Sequence, residues 1–126
     1  MPASSTLLLG TRKGLFILKR ASKGGWQVAR AAHEGNPVVY AMHDARNKTL
    51  WASLDHGHWG QKLSRSTDGG KTWQETRRPQ YPEGTEMGPA VFELFMPGVD
   101  PEKARLKRKP AVLSYIWVLG EAGDSK

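Results

Sequence analysis

Two groups of residues in this 126-residue chain have types and spacing suited to chemistry on a ligand. Arg12 and Lys13 are adjacent cations. A guanidinium grips a carboxylate or phosphate through two parallel hydrogen bonds, and the ammonium beside it adds a point charge. The second group is Asp55-His56-Gly57-His58-Trp59. If this stretch is extended, His56 and His58 lie on one side of it, and the Trp59 ring can stack on a sugar face. As metal ligands the two histidines need a third partner, for which Asp55, His33 and Glu34 are the candidates. The expectation is contact with a small ligand, with no metal and no cofactor. His43, at a strand end, reads as a core or rim histidine. Carboxyl groups for acid–base work are few: Asp55 and Glu34, then Glu83, Glu86 and Glu93. No catalytic residue can be assigned from them.

Hairpins must hold these residues in place. Runs rich in β-branched and aromatic residues predict strands over 6–11, 14–19, 25–30, 37–43, 49–54, 61–66 and 72–77, with one more over 113–119. The turn signal between the sixth and seventh strands is the strongest in the chain: Ser66-Thr67-Asp68-Gly69-Gly70-Lys71-Thr72-Trp73. Asp68 can accept hydrogen bonds from amides just ahead of it in an Asx-type turn. The glycines supply the positive φ that a tight reversal needs. Thr72 and Trp73 begin the next strand, and Trp73 can bury a large ring between sheets.

The chain also repeats. Thr6-Leu7-Leu8-Leu9 matches Thr49-Leu50-Trp51-Ala52 at an offset of 43 residues, and Gly24-Gly25-Trp26-Gln27 matches Lys71-Thr72-Trp73-Gln74 at an offset of 47. Between them, residues 16–20 align with 63–67. The first copy has lost the Asp and Thr of its turn and keeps Lys23-Gly24-Gly25-Trp26. A period of about 45 residues is that of a four-stranded propeller blade.

Size and composition set the outer limits. One domain is accommodated, whereas a closed propeller of 4–8 such blades needs roughly twice the length or more. Five Trp indicate a folded chain, and the lack of Cys removes disulfides and thiolate metal sites. Leu7-Leu8-Leu9 is too short for a signal-peptide core or a membrane span, so the expectation is a soluble, cytoplasmic chain without a membrane partner. The net charge of +7 suits an anionic sugar or nucleic acid, or simply a charged surface. Its densest cluster is Lys103, Arg105, Lys107, Arg108 and Lys109, predicted to close a short helix capped by Asp100 and begun by Pro101. These cations do not alternate with aromatics, which argues against nucleic acid.

The S-x-D-x-G-x-T-W pattern resembles the Asp-box of BNR-repeat proteins, with Ser66, Asp68, Gly70, Thr72 and Trp73 as its structural residues. In the same order, Gly10-Thr11-Arg12-Lys13-Gly14-Leu15-Phe16, His58-Trp59-Gly60 and Tyr81-Pro82-Glu83-Gly84 resemble the N-terminal part of propellers described as sialidase-like or glycosyl hydrolase-related. The resemblance implies an all-β fold of antiparallel four-stranded blades, about two of them, forming an incomplete β-propeller. Residues 1–32 give three strands of one blade, 37–78 a second blade with the Asp-box, 79–110 an inter-blade insertion, and 111–126 the first strand of a third. An incomplete ring is expected to be a truncation, or else to be completed by further copies, since three, four and one strands make two blades. In such a propeller Arg12, Lys13, Asp55, His56, His58 and Trp59 lie on the ligand face, whereas the Asp-box lies on the other. The implied function is recognition of a glycan or small anionic ligand. The chain lacks the Arg-Ile-Pro motif of sialidases, and a complete sialidase site cannot be assigned. A non-catalytic scaffold for protein interaction or assembly is the alternative.

Overall fold

The computed structural model describes residues 5–122, which fall into two units. The first holds residues 5–78 with 114–122, and the second is Pro79–Leu113. The protein is mostly β, and every strand pair among the described residues is antiparallel. No helix among the described residues is long and apolar enough to cross a membrane.

Seven strands build the first unit: β1 (Thr6–Thr11), β2 (Gly14–Arg20), β3 (Trp26–Ala32), β4 (Val38–Asp44), β5 (Thr49–His56), β6 (Gly60–Ser66) and β7 (Gln74–Thr76). They form two meanders, ordered β1-β2-β3 and β4-β5-β6-β7. Side chains alternate across each strand, so every strand offers one face to the other sheet and one away from it. Leu8, Leu15, Ile17 and Ala32 of the first sheet meet Val38, Leu50, Ala52 and Leu54 of the second in one core. Burying each of the larger side chains contributes about 1.5–3 kcal/mol, more than the roughly 0.5–1.5 kcal/mol net of an ordinary neutral hydrogen bond.

Two expected strands differ. The seventh was expected over 72–77, but β7 is three residues long. Asp68 captures both the amide and the hydroxyl of Thr72, so pairing starts two residues later. The strand expected over 113–119 does not form, and residues 111–122 carry no ladder. Its central residue is held by side chains instead. Ser53 donates to the Ile116 carbonyl at 3.3 Å, and the Ile116 amide donates to Gln61 Oε1 at 3.3 Å. These bonds satisfy backbone groups that a neighbouring strand would otherwise take. The segment thus covers the face of β5 and β6 that points away from the core.

The repeat also needs one correction. Leu9 pairs with Phe16 in the first sheet, and its counterpart Ala52 pairs with Ser64 in the second. Phe16 therefore corresponds to Ser64 rather than Leu63. A slip of one residue exchanges the two faces of a strand, so the pairing and not the letter match decides.

In the second unit β8 (Glu86–Met87) pairs with β9 (Lys109–Pro110), enclosing a 3-10 turn (Val91–Phe95) and α1 (Pro101–Arg105). Asp100 caps α1 by accepting from the Glu102 amide at 3.0 Å, with Pro101 at the first position, as the residues predict. The helix ends at Arg105, so Lys107, Arg108 and Lys109, expected to close it, lie beyond its end.

Candidate functional site at the turn end of the two sheets

A meander sends alternate turns to opposite ends. The β1–β2 turn, the β3–β4 loop and the β5–β6 turn therefore gather at one end of the first unit, and the Ser66–Trp73 turn lies at the other. Thr11 fixes the first of these turns. Its hydroxyl donates to the Gly14 carbonyl at 2.9 Å and accepts the Lys13 amide at 3.0 Å. Gly14 is required there: its φ is +136°, and a Cβ would come within 2.9 Å of the Ala32 carbonyl oxygen. The Gly35 amide donates to the Lys13 carbonyl at 3.0 Å, and the Asp55 amide to that of Pro37 at 3.0 Å. These bonds tie the β3–β4 loop to both sheets. Arg12 and Lys13 project from their turn exposed, and neither forms an ion pair among the described residues.

The β5–β6 turn sorts its predicted residues into three places. Asp55 points away from the core, where it accepts a 2.8 Å hydrogen bond from Gln61 Nε2. Gln61 is buried and also receives the Ile116 amide, so Asp55 belongs to the network under residues 114–122. His56, next in the strand, faces the other way; its Nδ1 accepts from the Trp59 amide at 3.3 Å. His58 lies in the turn itself, its ring edge-on to Trp59 with centroids 4.7 Å apart. The expectation that His56 and His58 share a side fails because the chain reverses between them. Trp59 is 65% exposed. No three His, Cys, Asp or Glu side chains among the described residues converge on a point that could hold a metal ion.

His56 instead opens onto a cavity of about 350 Å³ between the sheets. Leu54, Lys62, Ser64 and Glu75 line it from the second sheet, and His33 and Asn36 from the β3–β4 loop. Sequence reading missed Lys62, Ser64 and Glu75 as neighbours of His56. Period-two alternation was the available signal: Leu54 pairs with Lys62, and Ser64 with Glu75, so all lie on one face. Lys62 and Glu75 join in a 2.7 Å ion pair. Trp73 closes the floor, with its ring edge-on to His33 at 4.7 Å. Burial lowers the His33 pKa by disfavouring the charged imidazolium, and its Nε2 has no hydrogen-bond partner.

Arg78 is a further positioning residue that no motif marks. Its guanidinium donates to the Gln61 carbonyl at 2.6 Å and the Trp59 carbonyl at 3.4 Å, bracing the turn that carries Trp59. This contact spans 19 residues, and only the fold brings it together.

At the opposite end the Ser66–Trp73 turn is closed by one carboxylate. Asp68 accepts from the Ser66 hydroxyl at 2.8 Å, the Lys71 amide at 2.9 Å, the Thr72 amide at 2.9 Å and the Thr72 hydroxyl at 2.5 Å. These donors, the Thr72 hydroxyl first, hold its pKa well below the ordinary carboxylate range. Ser66 in turn accepts the Gly70 amide at 2.8 Å. Gly70 has φ +87°, and a Cβ there would collide with Ile17 Cδ1 of the first sheet. The turn is thus seated against the core, with no opening for a ligand among its own hydrogen bonds.

In the second unit, three of the five clustered cations are paired locally: Lys103 with Asp100 at 3.9 Å, Arg105 with Glu102 at 3.3 Å and Lys109 with Glu93 at 2.8 Å. The cluster is therefore less available to a ligand than its sequence suggests. Compared with known proteins, the chain matches no family model and no curated protein.

Proposed function

We propose that the first unit is a sialidase-like, BNR-repeat portion of a β-propeller, and that it recognises a glycan or another small anionic ligand at the end carrying Arg12 and Trp59. The observation that carries this reading is the exposed Trp59 ring, braced edge-on by His58, on a turn whose backbone carbonyl accepts from Arg78. A ring held open to solvent costs exposure of apolar surface, and stacking on a sugar face recovers that cost. Arg12 and Lys13, on a turn at the same end, supply donors for a carboxylate. The two antiparallel meanders, their repeat and the Asp68 turn support reading the sheets as Asp-box blades.

The proposal is recognition rather than hydrolysis. Glycoside cleavage needs two carboxyl groups about 5–10 Å apart across the bond, or a tyrosine nucleophile with its base. Asp55, one of the candidate carboxylates, is held in the Gln61 network by a 2.8 Å hydrogen bond. The test is a glycan panel that includes sialylated and neutral sugars. Arg12→Ala should lose acidic glycans selectively, and Trp59→Ala should lose acidic and neutral ones alike. Binding unchanged by both substitutions would remove this end from consideration.

The second reading, a non-catalytic scaffold for protein interaction or assembly, is favoured by the exposed apolar face of the first sheet. Leu7, Leu9, Trp26 and Val28 are all more than two-fifths exposed.

A further inference from the structure

The face of the first sheet that points away from the core is largely apolar, with Arg20 the charged residue beside Trp26. Leu7 pairs with Leu18 and Leu18 with Val28; Leu9 pairs with Phe16; Trp26 pairs with Arg20. Direct pairs share a face, so Leu7, Leu9, Phe16, Leu18, Trp26 and Val28 form one continuous surface. Scattered exposed apolar residues are ordinary, but Leu7, Leu9, Trp26 and Val28, exposed together on one sheet face beside the half-buried Phe16 and Leu18, mark a surface built to be covered.

The repeat identifies what kind of surface covers it. Leu7 and Leu9 correspond to Leu50 and Ala52, which are 7% and 0% exposed because the first sheet lies on them. Trp26 corresponds to Trp73, which is packed against the same core. Positions buried in the second sheet are therefore bare in the first. What they lack is a layer on the side where the second sheet has one.

The other half of such a contact is present elsewhere in the chain. Residues 114–122 lie on the far face of the second sheet through Ile116, which is buried while the side chains around it stand open to solvent. Tyr115, Trp117 and Val118 are 38%, 78% and 65% exposed, with the two aromatic rings edge-on at 4.9 Å. We propose that copies of this chain associate head to tail, the Tyr115-Trp117-Val118 side of one copy covering the Leu7-Leu9-Val28 face of the next. This does not depend on the glycan reading, because neither surface includes Arg12 or Trp59. A heterologous contact of this kind repeats, and it closes into a ring when its rotation permits.

The test is solution mass by size-exclusion chromatography with light scattering on the full chain. The expected result is a species of defined mass, a multiple of 14.0 kDa, that Val28→Lys and Trp117→Lys each convert to monomer. Both positions are exposed, so the folded monomer should survive, and an unchanged far-ultraviolet dichroism spectrum would verify this. Mixing the two variants should then give a heterodimer, since one intact head and one intact tail remain. A wild-type monomer overturns the proposal, as do large species that Val28→Lys fails to dissolve. Variants that dissociate but do not recombine also overturn it, as does a Trp117→Lys variant that stays associated, which indicates a face-to-face contact instead.

Discussion

The turns after β2 and after β6 occupy equivalent places in the repeat yet are held differently. The β6–β7 turn is closed by Asp68, which gathers four donors, and it lies on Ile17 of the neighbouring sheet. The β2–β3 turn has Ala21 where a carboxylate does not stand. Its bonds are two backbone contacts, from the Gly24 amide to the Ala21 carbonyl at 3.0 Å and from the Ala21 amide to the Gly25 carbonyl at 3.1 Å. Both are followed by a tryptophan. Trp73 packs against the core and donates its indole N–H to the Gly70 carbonyl at 3.2 Å, whereas Trp26 is 44% exposed. The comparison separates two roles that the repeat merges. The turn chemistry fixes where the chain reverses, and the neighbouring sheet determines whether the tryptophan stabilises.

The largest contrast should be between those two rings. Trp73→Ala is expected to cost about 3 kcal/mol, near the low end for a core tryptophan because the ring is only partly buried. Trp26→Ala should cost below about 1 kcal/mol in the monomer. Urea unfolding of both variants measures the difference, and equal losses would mean that sheet stacking does not set the value of the ring.

Removing the Asp68 charge should have the next effect, and it should depend on pH. The folded-state pKa of Asp68 is depressed, so its contribution is complete above the unfolded value of about 3.9 and is lost as pH falls below that toward the folded pKa. Asp68→Asn should therefore lower the unfolding temperature at pH 7, and the gap from wild type should narrow as pH falls below about 4. A gap independent of pH would assign the effect to packing. No counterpart exists in the β2–β3 turn. The smallest effect is expected at Lys62, whose pair with Glu75 is partly exposed: Lys62→Ala should change stability by less than about 1 kcal/mol, and less still in high salt.

Much of the first unit was legible in the residues. Six strands fell close to where β-propensity placed them and the seventh was shortened, since each is bounded by Gly, Asn, Asp or a charged turn, and the Asp68 network followed from the side chains that could form it. The segment 113–119 was misread because Leu113-Ser114-Tyr115-Ile116-Trp117-Val118-Leu119 has strand composition, and composition does not supply a partner. The candidate site was read less completely. Arg12, Lys13 and Trp59 are exposed, but Asp55 and His56 part to opposite faces through strand alternation, and the turn removes His58 from both. Lys62, Glu75 and Arg78 carried no motif. Their places depend on register and on contacts many residues away.

The most direct test of the seated turn is a double-mutant cycle at Gly70 and Ile17. Gly70→Ala places a methyl group against Ile17 Cδ1, and Ile17→Val deletes that atom. Overpacking of this kind costs about 1–3 kcal/mol. Part of the Gly70→Ala penalty is backbone strain at φ +87° and should persist in both backgrounds. Two sheets stacked as described predict that Gly70→Ala is less damaging in the Ile17→Val background, with a coupling of at least about 1 kcal/mol. Additivity to within about 0.5 kcal/mol would contradict that seating, and with it the proposition that the second sheet's turn is locked by the first.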